Sequence, residues 1–363
     1  MRRVDRARVP LLNGKVCDVT GPGRTERWGV TCTGLGASVV APNGKLVSVF
    51  GDTFSGRKAG EGDWRSPVVL IGTGDADHEI VYERAGGDDP HYARQLWHYH
   101  HDDASSGWTR GGISTVIPSD LLRVDDSLYL HAIVNRGFGT VIWTEIWRSD
   151  DSGISWTHMG ESAKFPAHLH DGHAQCWSWD FEPDDGWVYV AATGFQRDKG
   201  VILMRVRPED IGQRTRYVSW GYAHDRWGWG MTATPITPAG EKWGELTFRR
   251  MAQGKWILGG FLASKYALGY RVVDSPVANM HTTPIQTPVV GSTWHAENHL
   301  KNEVAQLYGG YVLPGSRFDI EGGVGLVVSQ WNTALGWPYR AMQFKAALRD
   351  TTKAVQPPDP INL

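Results

Sequence analysis

Residues 31–56 read TCTGLGASVVAPNGKLVSVFGDTFSG. The stretch divides into a turn, a strand, a hairpin turn at 42–44, and a second strand that ends on an acid, Asp52. The second strand carries an apolar run (Leu46, Val47, Val49, Phe50), and Asp52 follows it between Gly51 and Thr53. A carboxylate at the end of a core strand is placed for chemistry. Hydrolases that use one carboxylate generally need a second nearby.

The unit returns along the chain. KLVSVFGDTF is followed by SLYLHAIVN, WVYVAATGF, KWILGGFLA and GLVVSQWN, starting near 45, 127, 187, 255 and 325. Turns introduce them: PNG at 42–44, VDD at 124–126, PDDG at 183–186, AQG at 252–254, and EGG at 321–323. Another strand follows most of them, as in VIWTEIWRSDD, VILMRVRP, YALGYRVVDS and YRAMQFKAA. Helix signals are scarce; the best is RPEDIGQ at 207–213, one or two turns long. Five spaced units of turn, strand, loop and strand predict an all-β chain, a five-bladed β-propeller with long inserted loops.

One local motif supports this. SDDSGISW at 149–156 is similar to the Asp-box turn of sialidase-like propellers, with Ser155 in the Thr place. A carboxylate there caps turn amides, so Asp151 is expected to be structural. The propeller is expected over 28–346, with an N-terminal arm at 1–27 and a C-terminal tail at 347–363.

Composition narrows the function. The 363 residues carry a formal net charge of −2, which argues against a nucleic-acid partner held by phosphate neutralisation. No run approaches the ~18 apolar residues of a membrane span, and the basic start MRRVDRARVPLLNGK lacks a signal-peptide core. Of three cysteines, Cys17 and Cys32 are close enough in sequence for a short loop bridge, which spacing alone does not decide. There is no zinc-ligand spacing, no phosphate-cradling loop before a helix and no G-x-S-x-G elbow, and no cofactor is expected. The outliers are 18 Trp and 44 Gly. Most of the Trp are expected to pack sheets. Some offer flat apolar faces to sugar rings.

In a propeller the innermost strands line a central channel and ligands sit at one mouth. The residues ending the five apolar strands then converge: Asp52, His131 with Asn135, Thr193, Phe261, and Gln330 with Trp331 and Asn332. Asp52 is either a turn aspartate or a catalytic or ligand-binding group. GDWRSPVV at 62–69 adds Trp64 and Arg65, the latter either holding Asp52 ionised, binding a sugar hydroxyl or forming a surface pair. Glu245, in KWGELTFRR, is a second candidate carboxylate. LWHYHHDD at 96–103 and HLHDGH at 168–173 look like metal sites, but neither has a scaffold that presents two ligands on one face, and no metal is expected.

With these pieces in order, the chain resembles the actinobacterial endo-D-arabinanase family, long catalogued only as a domain of unknown function. The matching segments are GLGASVVAPNGKLVSVFGDTF, WRSPVV, LYLHAIV, IWRSDDSGISW, KWGELTFRR, LYGGYVLPGS and VVSQWNT with YRAMQF, over roughly 28–346. The resemblance implies a five-bladed propeller and a D-arabinan ligand, the furanose polymer of mycobacterial arabinogalactan and lipoarabinomannan. It also implies inverting hydrolysis by two carboxylates, which stand ~6.5–9.5 Å apart in such enzymes. Asp52 matches one of the pair. The other place, in a Thr-Asp-Leu-Gly segment, reads Thr33-Gly34-Leu35-Gly36 here, so the carboxylate is absent.

Each acid or base contributes ~10²–10⁴-fold, so activity is expected to be weak or lost while binding survives. The expectation is an arabinan-binding propeller on a bacteriophage tail, a minor tail or receptor-binding protein of the virion. Other tail proteins are its further partners. The alternative is an active endo-D-arabinanase that reaches the cell envelope by a route without an N-terminal signal. A rescuing acid such as Glu245 or Asp63 would then complete the pair.

Overall fold

The computed structural model describes residues 13–101, 112–137 and 139–354. Five antiparallel-dominated sheets follow one another along the chain as the five blades of a β-propeller. From the axis outward, blade one runs Cys32–Val40, Leu46–Phe54, Val68–Thr73 and Val81–Ala85, with the short strand Trp64–Arg65 beside the second. Blade two runs Thr115–Val124, Ser127–Arg136 and Thr140–Ser149, the last edged by Thr157–His158 and Lys164–Pro166. Blade three is Cys176–Glu182, Trp187–Thr193, Ile202–Val206, Val218–Ala223 and Arg226–Trp229. Blade four is Trp243–Arg250, Trp256–Leu262, Ala267–Val273, Gln286–Ser292 and Glu303–Ala305, whose last two strands are parallel. Blade five is Leu307–Val312, Val324–Trp331, Tyr339–Ala346 and Gly14–Asp18. The described helical segments are short 3-10 turns, and RPEDIGQ reduces to one at Pro208–Asp210. No helix of the described residues is long and apolar enough to cross a membrane.

Two expectations are corrected. The five apolar runs are the second strand of each blade rather than the innermost one. The first strands of the blades contact one another in a closed ring and so line the axis. The second strands are the most apolar because neighbouring blades cover them on both faces; Leu46–Phe50 and Ser127–Asn135 are buried throughout. The propeller also begins earlier than residue 28. Gly14–Asp18 pairs antiparallel with Tyr339–Ala346 and closes the ring with the N-terminal chain. Its burial pattern, one buried residue in five, explains why no apolar period betrayed it. Residues 1–12 of the expected arm and residues 355–363 of the expected tail lie outside the described residues.

The Asp-box turn forms as expected. Asp151 Oδ1 accepts from the amides of Ile154 and Ser155 at 3.1 and 2.8 Å, and Oδ2 accepts from the Ser155 hydroxyl at 2.5 Å. Gly153 takes φ +89°, and Trp156 packs into the core. Inside the ring, Asp120 of blade two forms a bidentate ion pair with Arg249 of blade four, at 2.5 and 2.6 Å. Ser178 of blade three donates to the same carboxylate at 2.6 Å, so three innermost strands are tied together by one buried charge. Cys17, Cys32 and Cys176 are all free thiols.

Candidate functional site

Within each blade the first two strands are antiparallel. The face where innermost strands start is therefore the face where second strands end. Asp52, Thr193, Phe261 and Gln330 therefore end their strands on the same side of the ring as Gly34, Thr115, Cys176, Glu245 and Tyr308.

Asp52 is half-buried there. Its Oδ1 accepts from the Thr115 hydroxyl at 2.6 Å and the Trp64 indole N–H at 2.8 Å. Burial raises its pKa; these two hydrogen bonds and the charge of His101 oppose the rise without cancelling it. The carboxyl thus holds its proton to higher pH than an exposed aspartate, the property of a general acid. Trp64 is itself fixed by stacking on His101, 3.9 Å between ring centres, and on Phe54 at 5.9 Å. A groove of about 480 Å3 opens beside it, lined by Asp63, Arg65, Tyr92, Arg94 and Trp97 among others.

Gly34 stands in the innermost strand of blade one, and its space is taken. A Cβ there would lie 1.8 Å from the hydroxyl oxygen of Tyr308, which reaches in from blade five. Tyr308 shares a hydrogen bond with Tyr339, and burial pushes its pKa up, so it presents a neutral hydroxyl. The neighbouring backbone is irregular: Leu35 adopts φ +73° between two register shifts, pinned by Ser329 Oγ at 2.8 Å. A left-handed leucine is strain of the kind found at functional sites.

Glu245 starts the innermost strand of blade four. Its Oε1 accepts from Arg197 at 2.5 Å, while Oε2 is buried without a hydrogen-bond partner among the described residues. The Arg197 guanidinium lies over the rings of Phe261 and Tyr308, at 5.1 and 5.5 Å.

The other sequence candidates separate. Arg65 is a buried clamp that donates to the carbonyls of Ala93 and Gly29, not to Asp52. His131 is core rather than mouth: it is fully buried and stacks on Trp177 at 4.0 Å, and burial holds its pKa well below the ordinary range. Asn135 is buried and donates to its own strand at Ile133. Gln330 is buried among Glu297, Ala305 and Arg340, and Asn332 caps the amides of Ala334 and Leu335. Of that cluster only Trp331, half-buried against Tyr339, keeps a ring near the mouth. The polar ends of those strands were read as ligand groups because burial is invisible in a single sequence. Among the described residues no three His, Cys, Asp or Glu side chains come together as a metal site; Asp102 and Asp103 lie outside them.

Thr115, Arg197, Tyr308 and Tyr339 were missed, and His101, within LWHYHHDD, was weighed only as a metal ligand. Arg197 had a findable signal, since it follows the WVYVAATGF strand as Asp52 ends its own. Tyr308 had one too, in the paired glycines of LYGGY, which take φ +75° and +107° where that strand changes register.

A family model described as a domain of unknown function, DUF4185, matches residues 20–345. An uncharacterized 35.9 kDa protein from the asd 3′ region of Mycolicibacterium smegmatis is 29% identical over 338 residues, covering 88% of this chain and 93% of its own. Notoamide biosynthesis cluster protein J′ of Aspergillus versicolor is 27% identical over 327 residues, covering 85% and 83%. Among solved structures, a Bacteroides ovatus protein described as a candidate hydrolase superposes with a TM-score of 0.60 at 13% identity, covering 92% of this chain and 90% of that one. That last likeness is one of fold.

Proposed function

The chain belongs to the DUF4185 family, and from that premise we propose that its propeller recognises cell-wall D-arabinan and hydrolyses it weakly or not at all. The observation that carries this reading is the pairing at the mouth: one carboxyl, Asp52, whose pKa burial raises, stands at a mouth where the space above Gly34 is filled by the neutral Tyr308 hydroxyl. An acid alone protonates a leaving oxygen but leaves water unactivated, which forfeits ~10²–10⁴-fold in rate. The means of binding remain. Trp331 and Trp64 bring indole edges and faces, Thr115 and the tyrosines bring hydroxyls, and Arg197 brings a cation.

A protein that grips envelope arabinan without cutting it suits the tail of a bacteriophage, and the virion is the location we propose. Release to the cell envelope is the alternative. A second reading, an active inverting endo-D-arabinanase, is favoured by Glu245, whose buried Oε2 has no hydrogen-bond partner among the described residues.

One assay separates them. The full chain is incubated with purified arabinogalactan, and both retained binding and released oligosaccharides are measured. Binding without products supports the first reading. Rapid product release that disappears in Asp52→Asn overturns it in favour of the second, and absence of both binding and products overturns both.

A further inference from the structure

Arg197 belongs to the loop between the second and third strands of blade three, yet its side chain lies across blades four and five. Four features hold it there. Glu245 pairs with it at 2.5 Å, and the rings of Phe261 and Tyr308 lie against its guanidinium. Gly244 gives it room: a Cβ at that position would stand 2.9 Å from Arg197 Cγ and 3.2 Å from Cδ. The cradle therefore depends on a missing side chain, a carboxylate and two aromatic faces. Despite it, 40% of the Arg197 side chain remains open to solvent.

We infer that Arg197 is the sugar-reading cation of this mouth, and that Glu245 is a positioning residue that aims it rather than a catalytic one. The inference rests on the arabinan reading given above. A guanidinium presents a planar fork of five donors, and a neighbouring carboxylate occupies only part of it. The remaining donors match two adjacent hydroxyl oxygens of a furanose ring, while the flanking Phe261 and Tyr308 rings keep the fork from rotating.

The test is calorimetric binding of arabinogalactan-derived oligosaccharides to the full chain and its variants, with melting curves to verify folding. Arg197→Ala is expected to bind about tenfold to a hundredfold more weakly, the range for a charged hydrogen-bond donor. Gly244→Ala displaces the stem without changing any charge and is expected to weaken binding in the same direction. Glu245→Gln is expected to match it, and the double variant Arg197→Ala with Glu245→Gln should bind no more weakly than Arg197→Ala alone. Arg197→Lys, which keeps the charge and loses the fork, should not restore affinity. Wild-type binding that survives Arg197→Ala overturns this inference alone. Glu245→Gln that binds normally but releases products more slowly overturns the positioning role. No binding by the wild type overturns the arabinan reading and this inference with it.

Discussion

The hydroxyl oxygen of Tyr308 stands 1.8 Å from where the Cβ of any side chain at position 34 would be, and Tyr339 Cε2 stands 2.9 Å from the same point. Position 34 is thus glycine for reasons of space, since its backbone is not in the left-handed region. The two positions belong to different blades, and what one lacks the other fills.

Gly34→Ala should therefore destabilise the protein by about 1–3 kcal/mol, the cost of forcing a packed side chain aside. The same change in a Tyr308→Ala background should cost much less, which a double-mutant cycle of melting temperatures measures.

Restoring a carboxylate has the same geometry to overcome. Gly34→Asp alone is expected to yield no arabinan hydrolysis because Tyr308 holds the space. Gly34→Asp combined with Tyr308→Ala is expected to release oligosaccharides from arabinogalactan. Product from the single variant, or none from a folded and arabinan-binding double variant, would show that Tyr308 is not what blocks the site.

Asp52 offers a check by pH. Its folded pKa is raised, chiefly by burial, so the folded chain holds this proton more tightly than the unfolded chain. The contribution to stability is fully present below the unfolded value of 3.8 and is lost as pH rises through the folded value. Asp52→Asn keeps an oxygen for Thr115 and Trp64 and carries no charge. Its melting temperature should gain on the wild type as pH rises from the unfolded value towards neutrality. A difference that is constant with pH would contradict the raised carboxyl.

The sequence made the blade count legible because each second strand is a two-sided core strand and reads as an apolar run. It showed the innermost strands less well, because they mix small and polar residues: CTGLGASVV reads as a strand only through its hairpin with the apolar run, and CWSWDFE lines the ring without a strand period strong enough to stand out. Asp52 was legible because it ends an apolar run. His131, Asn135 and Gln330 end or occupy similar runs and were misread, since only burial by neighbouring blades separates a mouth residue from a core one. Tyr308 and Arg197 had local signals in the sequence, but not signals of their roles. Their roles come from contacts between blades, with Gly34 and with Glu245, that sequence proximity does not show.

The ion pair between Asp120 and Arg249 predicts an asymmetry between breaking and replacing it. Asp120 is fully buried and also accepts from Ser178, so Asp120→Ala leaves a guanidinium without its counter-charge inside the ring. That variant should lose about 3–5 kcal/mol of stability, read by denaturant titration. Replacing both partners, as in Asp120→Leu with Arg249→Met, should recover a large part of the loss. A double variant no more stable than Asp120→Ala would mean that the charges themselves organise the ring.

At the opposite mouth a cavity of about 300 Å3 is lined by residues of all five blades, Asp180 among them. Asp180 accepts the amides of Phe181 and Arg250 at 2.8 and 2.9 Å. Burial pushes its carboxyl up to about 6, although Arg249 and the two amides pull it down. The folded chain therefore retains a proton that the unfolded chain releases near 3.8. This group favours folding most below that value, and the advantage is lost as pH rises through 6. Asp180→Asn exchanges one acceptor oxygen for a donor, which costs a fixed amount at every pH, so only the slope is diagnostic. Its stability relative to the wild type should climb by about 1–3 kcal/mol between pH 4 and 7 and level off above. A flat difference would place the Asp180 carboxyl in the ordinary range and leave the amides of Phe181 and Arg250 bound to a carboxylate throughout.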